Sequence, residues 1–96
     1  MRRTTLFVIT YDIAEDSRRK RMHKLLSEYG ESAQKSVFEA RLTATERRRL
    51  LERAASIMDL TRDSVLAYPV GLAHERQVVA LGRPRPEVRD DSYFIV

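Results

Sequence analysis

The sequence predicts an α+β fold of the ferredoxin-like type, with the element order β-α-β-β-α-β and an extra strand at the C-terminus. Two stretches carry apolar residues at the i, i+3, i+4 spacing of amphipathic helices. Short runs rich in β-branched and aromatic residues stand before, between and after these helices. In a chain of only 96 residues, packing two helices on one face of an antiparallel sheet is the economical way to bury one core.

The first strand and the first helix follow each other closely. Leu6 to Ile9 is an apolar run typical of a buried strand, and this strand leaves the core at Tyr11-Asp12-Ile13. The pattern then becomes helical from Asp16, an acid that can cap the helix, and Gly30 can end it. The apolar stripe of this helix consists of Met22, Leu25, Leu26 and Tyr29.

The middle of the chain predicts a further strand region and a second helix. Ser32 to Leu42 is β-like and has no Gly or Pro to mark a turn, so it forms either one bent strand or two short ones. Thr43-Ala44-Thr45-Glu46 is a capping-box signature. The apolar stripe that follows consists of Leu50, Leu51, Ala54, Ile57 and Met58. On the outer face, Arg48 and Glu52 stand at i,i+4, which favours a solvated, salt-bridged surface.

The C-terminal third predicts three short strands and an extended arm. The first strand runs from Val65 to Val70, and its Pro69 must lie near the strand end or at a sheet edge. Two more strands are expected, over Gln77 to Leu81 and Tyr93 to Val96, with the Pro-rich arm Gly82-Arg83-Pro84-Arg85-Pro86 between them. A terminal strand after such an arm can pair with the sheet of another protomer.

These boundaries define the expected domain organisation. Residues 1–82 form the ferredoxin-like domain, and residues 83–96 form the arm and a strand exchanged in a dimer. Association is expected because a chain of this size has a modest core. The longest apolar runs span only a few residues, and the N-terminus has no signal-peptide pattern. A cytoplasmic protein with no membrane segment is therefore expected.

The composition favours a polyanionic partner and excludes cysteine chemistry. Eighteen Lys and Arg stand against 14 Asp and Glu, which gives a net charge of +4 and a pI near 9.8. All of the basic residues except Lys20, Lys24 and Lys35 are Arg, whose planar fork suits phosphate. The absence of Cys excludes disulfides, thiolate metal sites and a cysteine nucleophile.

Asp12 is the candidate catalytic and metal-ligating residue. It stands where the first strand meets solvent, shortly before the cationic cluster that begins at Arg18. A carboxylate that holds a divalent cation, together with arginines that hold phosphates, supplies the main parts of phosphodiester chemistry. A single carboxylate is a poor Mg²⁺ site unless a symmetric dimer brings two Asp12 side chains together. The alternative is a polar strand terminus. Asp16 is either a helix cap or an additional ligand.

Four residues around the start of the first helix are candidate nucleic-acid contacts: Tyr11, Arg18, Arg19 and Lys20. Cations in a first helical turn oppose the helix macrodipole, so phosphate binding explains Arg18 and Arg19 better than local stability does. Tyr11 either stacks on a base or packs on the sheet rim, and packing is favoured. His23 and His74 have no partner at metal-ligand spacing and are interpreted as surface residues. The sequence has no nucleophile-base pair, glycine-rich phosphate loop or RNA-recognition signature.

Several of these motifs closely resemble the CRISPR-associated protein 2 family. In chain order they are Tyr11-Asp12-Ile13, Asp16, Arg18-Arg19, Leu25-Leu26, Tyr29-Gly30, Gln34, Ser36-Val37-Phe38-Glu39 and Leu42. The likeness is strong from Leu6 to Leu42, continues loosely through the second helix, and is weakest after Pro69. One position departs from the pattern, because Ser32 stands where the family usually has Arg or another large residue.

The resemblance implies a homodimer in which a terminal strand joins the neighbour's sheet. That strand consists of Tyr93, Phe94, Ile95 and Val96. It also implies an endonuclease that depends on Mg²⁺ or Mn²⁺ and acts on single-stranded RNA or double-stranded DNA, with Asp12 as metal ligand. The implied pathway is CRISPR spacer acquisition, with the CRISPR integrase as partner. Two alternatives stay open: a non-catalytic scaffold that holds duplex DNA and bridges integrase dimers, and a toxin-like ribonuclease.

Overall fold

The computed structural model describes residues 3–70, 78–83 and 93–95. Within these ranges the strands are β1 Thr5–Asp12, β2 Glu31–Gln34, β3 Val37–Leu42, β4 Ser64–Pro69, β5 Val78–Gly82 and β6 Tyr93–Ile95. The helices are α1 Asp16–Tyr29 and α2 Ala44–Ile57. No helix in these parts of the chain is both long and apolar enough to cross a bilayer.

The strands form one sheet in the order β2-β3-β1-β4-β5-β6. The central strand β1 pairs antiparallel with β3 on one side and with β4 on the other. The helices α1 and α2 contact each other and the β3 strand. The first four strands and the two helices therefore have the ferredoxin-like arrangement, and the predicted fold class is confirmed.

The core lies between the sheet and the helices. Along β1, residues Phe7, Ile9 and Tyr11 are buried, while the residues between them are partly exposed, as expected for a strand covered on one face. The predicted helical stripes supply the opposite side of the core. Their buried members are Met22, Leu25, Leu26, Leu50, Ala54 and Met58.

The region from Glu31 to Leu42 is a hairpin of two strands, which settles an alternative that the sequence left open. The turn falls at Lys35 and Ser36, and the Ser36 carbonyl accepts a 3.2 Å hydrogen bond from the Tyr11 backbone N–H. The pairing of β2 with β3 shifts register between Ser32 and Gln34. Ser32 is exposed, and its hydroxyl donates to the Gln34 carbonyl at 2.9 Å.

The N-terminus of α1 is capped by Glu15, so the prediction of Asp16 as the cap is wrong. The Glu15 carboxylate accepts hydrogen bonds from the backbone N–H groups of Ser17 and Arg18, at 2.8 and 2.9 Å. Asp16 is the first helical residue, and its carboxylate pairs with Arg19. The Glu15 side chain thereby satisfies two of the N–H groups that lack a partner in the first helical turn.

The other helix ends agree with the sequence. The helix α1 ends before Gly30, where a side chain cannot fit because an added Cβ would lie 2.2 Å from the Glu39 carbonyl oxygen. The capping box of α2 is formed by Thr43 and Glu46. The Thr43 N–H donates to the Glu46 carboxylate at 2.8 Å, and the Glu46 N–H donates to the Thr43 hydroxyl at 3.1 Å.

The strands β5 and β6 extend the sheet beyond β4. The β5 strand pairs antiparallel with β4, and β6 pairs parallel with β5 of the same chain, with Tyr93 opposite Val78. The prediction placed this terminal strand on a partner's sheet. In the single chain, the edge of β5 is instead filled by the chain's own segment, because an edge strand presents N–H and C=O groups to any extended neighbour. The predicted positions Gln77, His74 and Val96, and the arm from Pro84, lie outside the described residues.

Candidate functional site

Asp12 is the last residue of β1, and 52 % of its side chain is exposed. The preceding residue, Tyr11, points into the core beneath the helices. Because successive strand residues point to opposite faces, Asp12 lies on the sheet face opposite α1 and α2, across from Ser64 in β4. We call this face, which carries no helix, the open face. The Asp12 carboxylate is accessible on it, whereas Ser64 and Leu66 on the same face are buried.

The Asp12 carboxylate has a partner that the sequence did not reveal. Arg83, directly after β5, donates from Nη2 to Oδ2 of Asp12, and its Nε donates to the Arg62 carbonyl at 3.0 Å. From sequence, Arg83 belongs to an extended spacer and has no role in a site. Its separation of 71 residues from Asp12 carries no periodic signal that could have linked the two.

Asp12 suits Mg²⁺ as one ligand of a site that needs a second contributor. Across residues 3–70, 78–83 and 93–95, no three His, Cys, Asp or Glu side chains are grouped so that they could hold a metal ion. Mg²⁺ usually takes one or two carboxylates and keeps several waters, so an exposed carboxylate is an appropriate donor. The Asp16 carboxylate pairs with Arg19, and its role as an additional ligand stays a prediction.

Arg18 forms an ion pair within the protein, and this argues against its predicted contact with phosphate. Its Nε and Nη2 donate to the Asp63 carboxylate oxygens at 2.7 and 3.3 Å. Asp63 is 1 % exposed and also accepts a 2.8 Å hydrogen bond from the Asp59 N–H. Hydrogen bonding to Asp63 raises the pKa of Arg18. The guanidinium fork thus ties α1 to the loop that precedes β4, and little of it remains for a ligand.

Arg19 and Lys20 remain at the surface. Arg19 donates to the Ala14 carbonyl at 2.8 Å and pairs with Asp16, so it holds the loop between β1 and α1, yet 42 % of its side chain is exposed. Lys20 is an exposed residue of α1. Both cations can therefore reach a polyanion.

Tyr11 packs in the core and does not offer a ring face for stacking on a base. It is 6 % exposed, and its ring stacks on Phe38 with the centroids 6.4 Å apart. The phenol donates to the Lys35 carbonyl at 3.1 Å and lies 3.3 Å from Nδ1 of His23. Burial raises the pKa of Tyr11. Of the two interpretations of Tyr11, packing is the one that its contacts support.

The rim of Tyr11 nevertheless forms part of a basic cleft of about 320 Å³. Its lining residues are Tyr11, Arg19, Lys20, His23 and Lys35. The fold thus brings three of the predicted nucleic-acid residues together and adds His23 and Lys35, which sequence reasoning did not assign to a site. Clustered cations in a concave surface attract phosphate groups. Asp12 does not line this cleft, because it faces the other side of the sheet.

Comparison with known proteins assigns the family. The profile described as CRISPR associated protein Cas2 matches residues 5–78, which include Asp12, Arg18, the basic cleft and both helices. This chain belongs to the Cas2 family. The resemblance seen in the sequence is therefore confirmed.

Two Cas2 relatives match most of the chain. One is the CRISPR-associated endonuclease Cas2 2 of Thermus thermophilus, which is 40 % identical over 85 residues, or 88 % of this chain and 91 % of the relative. Another is the CRISPR-associated endoribonuclease Cas2 3 of a Synechocystis species, which is 40 % identical over 79 residues, or 82 % and 86 % of the two chains. Nuclease activity is thus the activity named in these Cas2 relatives.

Solved structures support the same family and fold. The hypothetical protein TT1823 from Thermus thermophilus aligns with a TM-score of 0.71 and 39 % identity, over 72 % of this chain and 84 % of the other. Streptococcus pyogenes Cas2, in a crystal structure at pH 6.5, aligns with a TM-score of 0.65 and 31 % identity, over 69 % and 86 %. Each alignment thus covers about seven tenths of this chain and more than four fifths of the other chain.

Proposed function

We propose that this Cas2 chain is a metal-dependent endonuclease that acts on RNA or double-stranded DNA during CRISPR spacer acquisition, with Asp12 as its catalytic carboxylate. The observation that carries the proposal is the position of Asp12: an exposed carboxylate at the end of the central strand, on the sheet face opposite the helices. The names of the Cas2 relatives, endonuclease and endoribonuclease, supply the reaction class.

The proposal requires a homodimer, because one chain supplies only one carboxylate at this position. The open face of the sheet suits such an interface, since Leu6, Val8 and Tyr68 lie on it and are partly exposed. Apolar side chains on a sheet face are stabilised when a second sheet packs on them. A two-fold axis that passes through this face beside Asp12 would bring the two Asp12 side chains toward each other.

Asp12 of both protomers would hold Mg²⁺ or Mn²⁺, and the bound ion supplies charge stabilisation of the phosphate and an activated water. Arg19, Lys20 and Lys35 line the basic cleft on the other side of the sheet from Asp12. They would contact backbone phosphates away from the cleaved bond, which holds the nucleic acid without reading its bases. Binding through phosphates alone would make the protein tolerant of sequence and sensitive to salt.

A second candidate function is a non-catalytic scaffold that binds duplex DNA and bridges dimers of the CRISPR integrase. The ion pair between Asp12 and Arg83 favours it, because a carboxylate neutralised by an internal cation has no need of a metal. In this function the basic cleft would carry the DNA contacts, and Asp12 would be structural. The toxin-like ribonuclease has no separate observation in its favour.

The test is a nuclease assay on labelled single-stranded RNA and double-stranded DNA across a Mg²⁺ titration. We predict that wild type cleaves and that Asp12→Asn lowers the rate by about 100-fold or more while thermal melting and nucleic-acid binding persist. The amide keeps the shape of the side chain and removes its charge. Glu39→Gln is the matched control, because Glu39 is another exposed acid on the same sheet face, opposite Val8.

Two results would decide against the proposal. Cleavage by Asp12→Asn at the wild-type rate would contradict the assignment of the site. If purified wild type cleaves neither substrate, and wild type and Asp12→Asn support spacer integration equally well, the scaffold function replaces the nuclease.

A further inference from the structure

The carboxylate assigned to the metal already has a positively charged neighbour in the single chain. Nη2 of Arg83 donates directly to Oδ2 of Asp12. The contact lies at the surface, with 39 % of the Arg83 side chain and 52 % of the Asp12 side chain exposed. One of the two carboxylate oxygens, Oδ2, is therefore engaged by a guanidinium group.

Arg83 is held in place by bonds that do not involve Asp12. Its backbone N–H donates to the Asp63 carbonyl at 2.9 Å, and its Nε donates to the Arg62 carbonyl at 3.0 Å. Gly82 allows the backbone of β5 to come this close to the Asp63 carbonyl. Its φ is 91°, and an added Cβ would lie 1.9 Å from the Asp63 carbonyl oxygen. The end of β5 is thus built to present the Arg83 side chain toward the end of β1.

We infer that Arg83 is an internal counter-ion that competes with a divalent cation for Asp12. The inference rests on the proposed role of Asp12 as a metal ligand and adds a residue that regulates that role. Nη2 of Arg83 uses one lone pair of Oδ2, and a metal ion on the same carboxylate would lie a few ångströms from the guanidinium, where the two positive charges repel each other with little screening by salt. Metal binding is therefore weaker while Arg83 stays paired with Asp12.

The experiment measures Mn²⁺ affinity by titration, with the paramagnetic relaxation of water protons as readout. The proteins are wild type, Arg83→Gln, Asp12→Asn and the control Arg62→Gln. Arg62 is a neighbouring cation whose side chain is 78 % exposed and lies near Asp59. Arg83→Gln should bind Mn²⁺ about fivefold more tightly than wild type, the upper range for loss of one exposed ion pair. Arg62→Gln should match wild type, and Asp12→Asn should lose the site.

The outcomes separate the inference from the proposed function. If wild type and Arg83→Gln bind Mn²⁺ equally and Asp12→Asn does not bind, the metal site stands and the competition by Arg83 is overturned. If no protein binds Mn²⁺, the metal site itself fails, and the inference fails with it.

A second measurement covers the case in which Arg83→Gln loosens the fold. Thermal unfolding in EDTA of wild type, Arg83→Gln, Asp12→Asn and the double variant forms a double-mutant cycle. A favourable coupling free energy between Arg83 and Asp12 in the absence of metal would support the role of Arg83 as a counter-ion of Asp12. Additive effects would show that the two side chains do not interact and would overturn it.

Discussion

Arg18 and Asp63 form an ion pair between residues 45 positions apart in the chain, and the carboxylate partner is almost completely buried. Residue type made Arg18 a candidate for phosphate binding, because a cation in a first helical turn is locally unfavourable. The pair with Asp63 supplies the missing reason for its presence. A buried carboxylate that lost this partner would keep only the N–H of Asp59 among its described hydrogen bonds.

We predict that Arg18→Ala destabilises the protein by about 2–3 kcal/mol, because it leaves the buried Asp63 carboxylate without its main partner. Lys20→Ala, a change of an exposed cation on the same helix, should shift stability by only about 0.5 kcal/mol or less. Urea unfolding of both variants measures the difference. If Arg18→Ala and Lys20→Ala have equal free energies of unfolding, the ion pair with Asp63 does not stabilise the fold, and Arg18 is again a candidate phosphate contact.

The candidate site could be predicted from sequence only where local position decides it. Asp12 follows from the end of an apolar strand, and Arg19 and Lys20 follow from the start of a helix. The partner of Asp12, which is Arg83, and the partner of Arg18, which is Asp63, could not be recognised from the sequence. These contacts are set by the way the strands pair, and not by spacing along the chain. Tyr11 was ambiguous for a related reason, since its burial depends on α1 and on Phe38.

Among the elements, the helix α1 begins with a cap that depends on pH. Backbone N–H groups of Arg18 and Ser17 donate to the Glu15 carboxylate and lower its pKa. A folded-state pKa below the unfolded-state value means that the ionised form stabilises the fold. This contribution is complete above the unfolded-state pKa of about 4.3 and is lost as pH falls through the lower folded-state value.

The prediction is that Glu15→Gln is less stable than wild type at pH 7 and that the difference shrinks toward pH 3. The control is Glu52→Gln on the exposed side of α2, which should show no such change. Urea unfolding at pH 7, 5 and 3 gives the comparison. A difference between wild type and Glu15→Gln that stays constant with pH would show that the Glu15 charge is not the source of the capping.

Helical periodicity and the capping box predicted α1 and α2 well, because both signals are local. The turn between β2 and β3 was not predicted, since Lys35 and Ser36 carry no turn preference of the Gly or Pro kind. Their conformation is fixed by contacts with a distant residue: the Tyr11 N–H donates to the Ser36 carbonyl, and the Tyr11 phenol donates to the Lys35 carbonyl. Tertiary contacts, and not local sequence, thus define this turn.

For the whole molecule, the order of the first four strands followed from element order, but the place of β6 did not. The edge of β5 offers the same backbone hydrogen bonds to a strand of its own chain and to a strand of a partner. In the single chain β6 lies parallel to β5. Exchange in a dimer would use that same edge, so the dimer-exchanged strand stays a prediction.

The two proposed functions, metal binding and phosphate binding, lie on opposite faces of the molecule. The basic cleft, with Arg19, Lys20 and Lys35, lies on the side of α1, whereas Asp12 faces the open side of the sheet. A dimer whose two-fold axis passes beside Asp12 on the open face would bring the two carboxylates together. It would also leave both clefts available to nucleic acid. Our central claim is therefore that the metal lies between protomers and the phosphate contacts lie on the helical side.

The most direct test is a crystal structure of the protein grown with Mn²⁺, with the metal located by anomalous diffraction. We predict a homodimer with an anomalous peak between the two Asp12 carboxylates, with Arg83 moved away from Asp12. A dimer in which the Asp12 side chains lie far from the two-fold axis, each still paired with Arg83 and without a peak, would contradict the claim.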